Sequence, residues 1–316
     1  GVMYFGNGVG VLEYDGHFWR LIRLQNNSTV RSLGVDINGN VFVGGYNDFG
    51  YLTPNKQGEL VYESLLGKVD SSCRNFEQVW EVTTFGDTVF FQTDKYVFRY
   101  AKGKIDAWTG SHGIYYLGFK VTGKYIVQEM GRGLLRFSVV DGFSLIKGGD
   151  FFKDLKVHSI LLFQDKWLIC TRGHGLYLYN PVTGNVSPIS KSSNPKARTV
   201  NKYFVDNSFY HGINLGDGLL ALSTINSDIL VLDENWNVVD VIDYHTKGIN
   251  SPTNYLYLQR GQALWLALDN GICRIEFKSP LRYWNDEMGI SGVLTDVARR
   301  GDYFYVATRS EERRVG

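Results

Sequence analysis

Amides, carboxylates and cations recur at close spacing in this chain, and together they could bind a polyhydroxylated ligand. Tyr46-Asn47-Asp48 places a ring, an amide and a carboxylate on three successive residues. Asn226 with Asp228, and Asn270 directly after Asp269, repeat the amide–carboxylate pairing. Arg132, Arg172 and His174 add cationic or ring-nitrogen donors beside glycines, where turn geometry alone does not call for Arg or His. Amides and carboxylates exchange hydrogen bonds with hydroxyls, and a guanidinium pairs with a carboxylate, so the set suits sugar hydroxyls or an acidic sugar. Tyr46, Trp108 and His112 are rings on which such a ligand could stack. The competing reading is that each of these residues forms a turn or carries solvated charge.

Catalytic and metal chemistry finds less support. His17, His112, His158, His174, His211 and His245 include no pair at metal-ligand spacing on one element. Cys73, Cys170 and Cys273 form no Cys-x-x-Cys motif, and the last two sit in apolar runs, as small core residues do. There is no Gly-x-Ser-x-Gly, His-Glu-x-x-His or phosphate-binding loop. Neither a metal nor a cofactor is expected. Carboxylates from separate parts of the chain could still converge in space, which leaves an enzyme open as an alternative. Lys+Arg (33) and Asp+Glu (32) nearly cancel and no long basic run occurs, which argues against nucleic-acid binding. No run of about 18 apolar residues could cross a membrane as a helix.

The elements that must position these residues are short strands. Gly is abundant (36), Pro is scarce (6) and aromatics reach 15%, a composition of strands joined by tight turns. One apolar strand recurs as Met3-Tyr4-Phe5-Gly6, Val41-Phe42-Val43-Gly44, Val89-Phe90-Phe91-Gln92, Tyr125-Ile126-Val127-Gln128, Trp167-Leu168-Ile169-Cys170, Leu220-Ala221-Leu222-Ser223, Leu264-Trp265-Leu266-Ala267 and Phe304-Tyr305-Val306-Ala307. Successive copies lie 43 residues apart on average, the period of a propeller blade. Each repeat reads as four antiparallel strands, A to D, and the recurring run is strand B. Strands A start near residues 30, 78, 113, 157, 209, 252 and 290, and Val2 to Ile22 supplies a B–C–D set without an A. A unit of this size can bury both sheet faces only by stacking on its neighbours around an axis. The expected fold is therefore an all-β propeller over residues 1–308, most simply seven-bladed with pieces from both ends closing the ring. Eight blades are possible, because residues 304–308 begin one more copy. Residues 309–316 break the repeat. The absence of a leader and of an initiating Met reads as a segment of something longer.

Three copies, Val30–Leu52, Val157–Tyr179 and Tyr255–Glu276, carry an apolar A strand, a turn, a B strand and a Gly-led C strand. The run Ala263-Leu264-Trp265-Leu266-Ala267-Leu268-Asp269-Asn270-Gly271-Ile272, followed by Ser279-Pro280-Leu281, fits the same pattern. In this the chain resembles the two-component regulator propeller repeat of bacterial sensor proteins. The resemblance implies the periplasmic, ligand-sensing half of a membrane-anchored receptor, often for carbohydrates. A homodimer of the parent receptor is possible, and contact with the membrane would run only through regions downstream. It implies no catalysis by this segment; a polysaccharide lyase or glycoside hydrolase, or a protein-interaction scaffold, are the alternatives.

Loop lengths locate a site. The D–A connections Val69–Glu77, Ser190–Ser208 and Tyr244–Ser251 are long, and they share a face with the B–C loops. Tyr46, Asn47, Asp48, Arg132, Arg172, His174, Asn226, Asp228 and Asn270 all fall in B–C loops. A small molecule or oligosaccharide over the central channel on that face is the expected partner.

Overall fold

Alternation of buried and solvated positions within short Gly-bounded runs makes each repeat an antiparallel sheet, which the computed structural model describes over residues 1–226, 228–243, 249, 251–259, 263–276, 292–301 and 303–309. The first sheet has three strands, β1 (Met3–Asn7), β2 (Gly10–Tyr14) and β3 (Trp19–Ile22). Five four-stranded sheets follow. They are β4 (Val30–Val35), β5 (Val41–Gly45), β6 (Phe49–Pro54) and β7 (Leu60–Ser64); β8 (Val79–Phe85), β9 (Thr88–Thr93), β10 (Tyr96–Ala101) and β11 (Lys104–Thr109); and β12 (Tyr115–Val121), β13 (Lys124–Glu129), β14 (Gly133–Ser138) and β15 (Gly142–Leu145). Then come β16 (Val157–Phe163), β17 (Lys166–Thr171), β18 (Gly175–Tyr179) and β19 (Val186–Pro188), and β20 (Phe209–Gly216), β21 (Leu219–Thr224), β22 (Ile229–Leu232) and β23 (Val238–Ile242). A seventh sheet holds β24 (Thr253–Gln259), β25 (Ala263–Leu268) and β26 (Gly271–Ile275).

These seven sheets are the blades of a propeller. Their first strands lie side by side: β4 on β8, β8 on β12, β12 on β16, β16 on β20 and β20 on β24. They form the inner wall of a central channel. Separate apolar clusters fill the interfaces between successive blades. One around Phe49, Phe76, Phe91 and Phe98 joins blades two and three, and one around Leu168, Phe204, Phe209 and Leu222 joins blades five and six. Between blades seven and one, Phe5 meets Trp265 with ring centroids 5.6 Å apart, so the N-terminal sheet closes the ring.

The position of β1 within its blade follows from two glycines. A Cβ on Gly44 of β5 would lie 2.5 Å from Val79 of the next blade, and a Cβ on Gly6 of β1 would lie 2.7 Å from the Val30 carbonyl of the next blade. Gly6 thus occupies the place of Gly44, and β1 is a B strand. Among the described residues no A strand pairs with its inner edge. The last repeat, β27 (Val293–Arg300) and β28 (Tyr303–Arg309), pairs only within itself, and every one of its described side chains is exposed. It is a hairpin outside the ring rather than an eighth blade. Residues 310–316, most of the sequence-defined tail, lie outside the described residues.

The connection before blade six, which its sequence marks only as a long loop, contains a helix, α1 (Pro195–Asp206). Asn194 caps it by accepting the Lys196 N–H at 2.9 Å, and Pro195 starts it where its missing N–H costs nothing. Ala197, Val200, Asn201 and Phe204 form its buried stripe. The Asn201 Oδ1 accepts the Leu176 N–H at 2.8 Å, and a Cβ on Gly175 would lie 2.5 Å from that oxygen, so blade five needs glycine there.

Candidate functional site

The first residue of each A strand pairs with the last residue of its B strand, as in Val30↔Gly45, Val79↔Thr93 and Val157↔Thr171. D–A connections and B–C turns therefore share one face, as expected. Directly after that first pair, every A strand slips register by one residue. The pairing jumps from Val30 to Ser32, Val79 to Glu81, Tyr115 to Gly118, Val157 to Ser159, Phe209 to His211 and Thr253 to Tyr255. Each slip is a β-bulge, which inserts an unpaired residue and re-aims its side chain. The inserted residues are Arg31, Trp80, Tyr116, His158, Tyr210 and Asn254. Six blades thus place one bulge residue each around the channel mouth.

Successive members of this ring touch. The Arg31 guanidinium lies 5.5 Å from the Trp80 ring centre. Asp94 accepts a hydrogen bond from Trp80, and its charge reaches Tyr116. Burial is the main reason the Asp94 carboxyl is raised. Tyr116 Oη and His158 Nε2 are 2.9 Å apart, and His158 Nδ1 is 2.8 Å from the Tyr210 carbonyl. A carbonyl only accepts, so Nδ1 carries the proton and Nε2 accepts from Tyr116. The Tyr116 oxygen in turn accepts from Arg172. The result is a directional chain from Arg172 through Tyr116 and His158 to Tyr210, crossing three blades. It leaves His158 neutral: burial, reinforced by Arg172 and Lys156, pushes its pKa down to about 4.

Buried amides and hydroxyls hold the bulges in place. Gln92 Nε2 donates to the carbonyls of Tyr115 and Tyr116 at 3.2 and 3.3 Å. Gln128 donates to the Phe152 carbonyl at 2.7 Å and accepts the Val157 N–H at 3.0 Å, fixing the chain directly before His158. Ser32 Oγ donates to the Val79 carbonyl, and Ser159 Oγ accepts the Gly212 N–H, both at 3.0 Å. Deeper in the channel stand Glu81, His211 and Tyr255. His211 and Tyr255 have ring centroids 4.4 Å apart. The charge of Glu81 is the largest influence on the Tyr255 phenol, which it drives up, so blades three and seven face each other across the channel. Burial pushes Glu81 up to about 8 and His211 down to about 4, so at neutral pH the channel is lined by groups held mostly uncharged.

The residues picked out from the sequence divide among several settings. Arg172 belongs to the mouth. His174 is exposed beside it, with its Nδ1 3.1 Å from the Arg172 carbonyl. Tyr46 is exposed on the same face and bridges to Gln78 of the next blade. Asn47 is engaged in holding the chain: its Oδ1 accepts the N–H groups of Phe76 and Glu77 at 2.9 and 2.6 Å. Asp48 is buried at 3% exposure and accepts Ser64 Oγ at 2.6 Å; burial raises its carboxyl. Arg132 pairs with the buried Glu129 at 3.1 Å. Burial alone would raise Glu129; the His112 N–H, Arg132 and the Gly113 N–H outweigh it and lower the carboxyl. Asp228 accepts Tyr203 Oη of α1 at 2.6 Å, while Asn226 and Asn270 are exposed in their turns. Trp108 packs on Phe137 and Phe143, away from the mouth. Sequence reasoning missed five of the six bulge residues entirely and used His158 only in a metal count.

The fold and the mouth define a seven-bladed β-propeller whose channel opens through an aromatic and cationic ring. No family model matches the chain, and no curated protein is similar to it at a significant level. Among solved structures, it is similar to the extracellular domain of the putative hybrid two-component system BT4673 from B. thetaiotaomicron, with a TM-score of 0.63 and 17% identity over 97% of this chain. The chain spans 41% of the length of that domain. It is also similar to the WD40 propeller of Doa1 (TM-score 0.60, 11% identity, 88% of this chain and 90% of the other). A third similar structure is a catalytically inactive variant of virginiamycin B lyase from Staphylococcus aureus with quinupristin (TM-score 0.55, 16% identity, 88% of this chain and 91% of the other). At these identities the likeness shows the fold, which sensors, interaction scaffolds and enzymes share.

Proposed function

We propose that this propeller is the ligand-binding module of an extracytoplasmic bacterial sensor, and that a small molecule or oligosaccharide binds across the channel mouth. One observation carries the reading: six blades spend a bulge at the same register and direct Arg31, Trp80, Tyr116, His158, Tyr210 and Asn254 to one opening. Three aromatic rings and an imidazole beside amide, carboxylate and guanidinium groups suit a ring with hydroxyls, which offers an apolar face and polar edges. The likeness to the BT4673 extracellular domain supports the cellular setting. The signal would be ligand occupancy, passed on by regions outside this chain.

A thermal-shift screen against oligosaccharides tests this. A ligand should raise the melting temperature by mass action, and the shift should vanish in Trp80→Ala and Tyr116→Ala proteins that still fold. Shifts that persist in both variants would place binding elsewhere. Release of cleaved or unsaturated products from a hit would favour the enzyme reading instead.

A further inference from the structure

The charges at the mouth say what sort of ligand it takes. Arg172 and Lys156 approach the Tyr116–His158 pair from the loop side. The Arg172 N–H donates to the Lys156 carbonyl at 2.9 Å, which ties the two residues together. The Lys156 ammonium lies 5.7 Å from the Tyr116 ring centre, and Arg172 bonds the Tyr116 hydroxyl. Across Asp94, Arg31 stands over Trp80. Among the described residues, no carboxylate lies within 4.0 Å of Arg31, Lys156 or Arg172. The other cations on this face are compensated: Lys95 pairs with Glu77 and Arg132 with Glu129. An unpaired cation is ordinary at a surface, but three beside adjoining aromatic rings, in a chain whose formal net charge is +1, make a local field with a direction. The neutral His158 adds no anion to offset it.

We infer that the mouth selects an anionic sugar: a pyranose that stacks on Tyr116 and presents a carboxylate or sulfate to Lys156 and Arg172, with Arg31 and Trp80 receiving the next unit. This rests on the mouth being the binding site. A planar guanidinium beside a phenol matches a ring-borne carboxylate, and partial enclosure by the blades keeps the pairing from being fully screened. Asp94, between the two subsites, is an acceptor for sugar hydroxyls and repels an anion there. The ligand's charge is therefore directed to the Tyr116 side or the Trp80 side rather than between them.

Titration of the whole chain, followed by tryptophan fluorescence, tests the inference. The panel is a neutral disaccharide, its uronic-acid counterpart and a sulfated counterpart, each at low and high salt. The uronate or the sulfated sugar should bind at least about tenfold tighter than the neutral one, with the advantage shrinking as salt rises. Which of the two wins identifies the anion. The double substitution Lys156→Gln and Arg172→Gln should abolish that advantage and leave neutral binding within about twofold. Unchanged melting temperature would show that the variant folds. Neutral and anionic sugars binding alike, in the native chain and the variant, would overturn the inference while leaving the mouth as the site. No binding by any of the three would overturn the inference together with the proposed function.

Discussion

Two kinds of buried ionisable group in the channel make opposite predictions about pH. His158 and His211 have pKa values pushed down to about 4, so between pH 4 and 6.5 the unfolded chain binds more protons than the folded one. Their contribution to stability is complete above pH 6.5 and is lost as pH falls toward 4. Glu81, pushed up to about 8, does the reverse: the folded chain holds its proton between pH 4.5 and 8, and stability falls as pH rises through that window. Glu81→Gln should therefore be more stable than the native chain at pH 8 and differ little at pH 4.5. His211→Asn should lose less stability than the native chain on acidification from pH 6.5 to 4. Urea unfolding at several pH values reads both; a Glu81→Gln curve parallel to the native one would show that the carboxyl is solvated.

Strands explain both what the sequence revealed and what it hid. Every recurring apolar tetrad lies wholly within a strand, because period-two burial in short Gly-bounded runs is a local property. The bulge residues escaped because a bulge is a register between two strands. Val30-Arg31-Ser32 and Val157-His158-Ser159 look like ordinary alternation until paired with Gly44 and Cys170. A trace existed, since each of these A strands opens on a buried residue followed by a large or polar one. Likewise α1 carried its signature in Asn194-Pro195 and the spacing of Ala197, Val200 and Phe204, but a connection between strands drew a loop reading. Asn47 and Asp48 looked like ligand groups because a residue type cannot tell a binding amide from one that ties a loop. At this scale Gln128→Ala should cost roughly 2–4 kcal/mol, since it strands the Phe152 carbonyl and the Val157 N–H in a buried setting. Denaturant midpoints at constant m-value check it, and the same variant should weaken ligand binding by freeing the strand that bears His158.

A ring of blades has no free choice about closure, and here the N-terminal sheet performs it. Phe5 is the contact to blade seven, so Phe5→Ala should lower stability by more than an exposed substitution such as Val140→Ala, by about 1–3 kcal/mol. The hairpin of β27 and β28 stands apart, exposing Val293, Leu294, Val297, Tyr303, Phe304, Tyr305 and Val306. Such an apolar hairpin invites association. A chain ending before residue 292 should keep its melting temperature and show less concentration-dependent light scattering. A large drop in melting temperature would mean that the hairpin supports the ring.

The account turns on the channel mouth, and a ligand-bound crystal structure tests it most directly. A saccharide identified by thermal shift should lie across the bulge ring, its rings within about 4 Å of Trp80 and Tyr116. Density for the ligand on the opposite face, or between blades with the mouth unaltered, would contradict it.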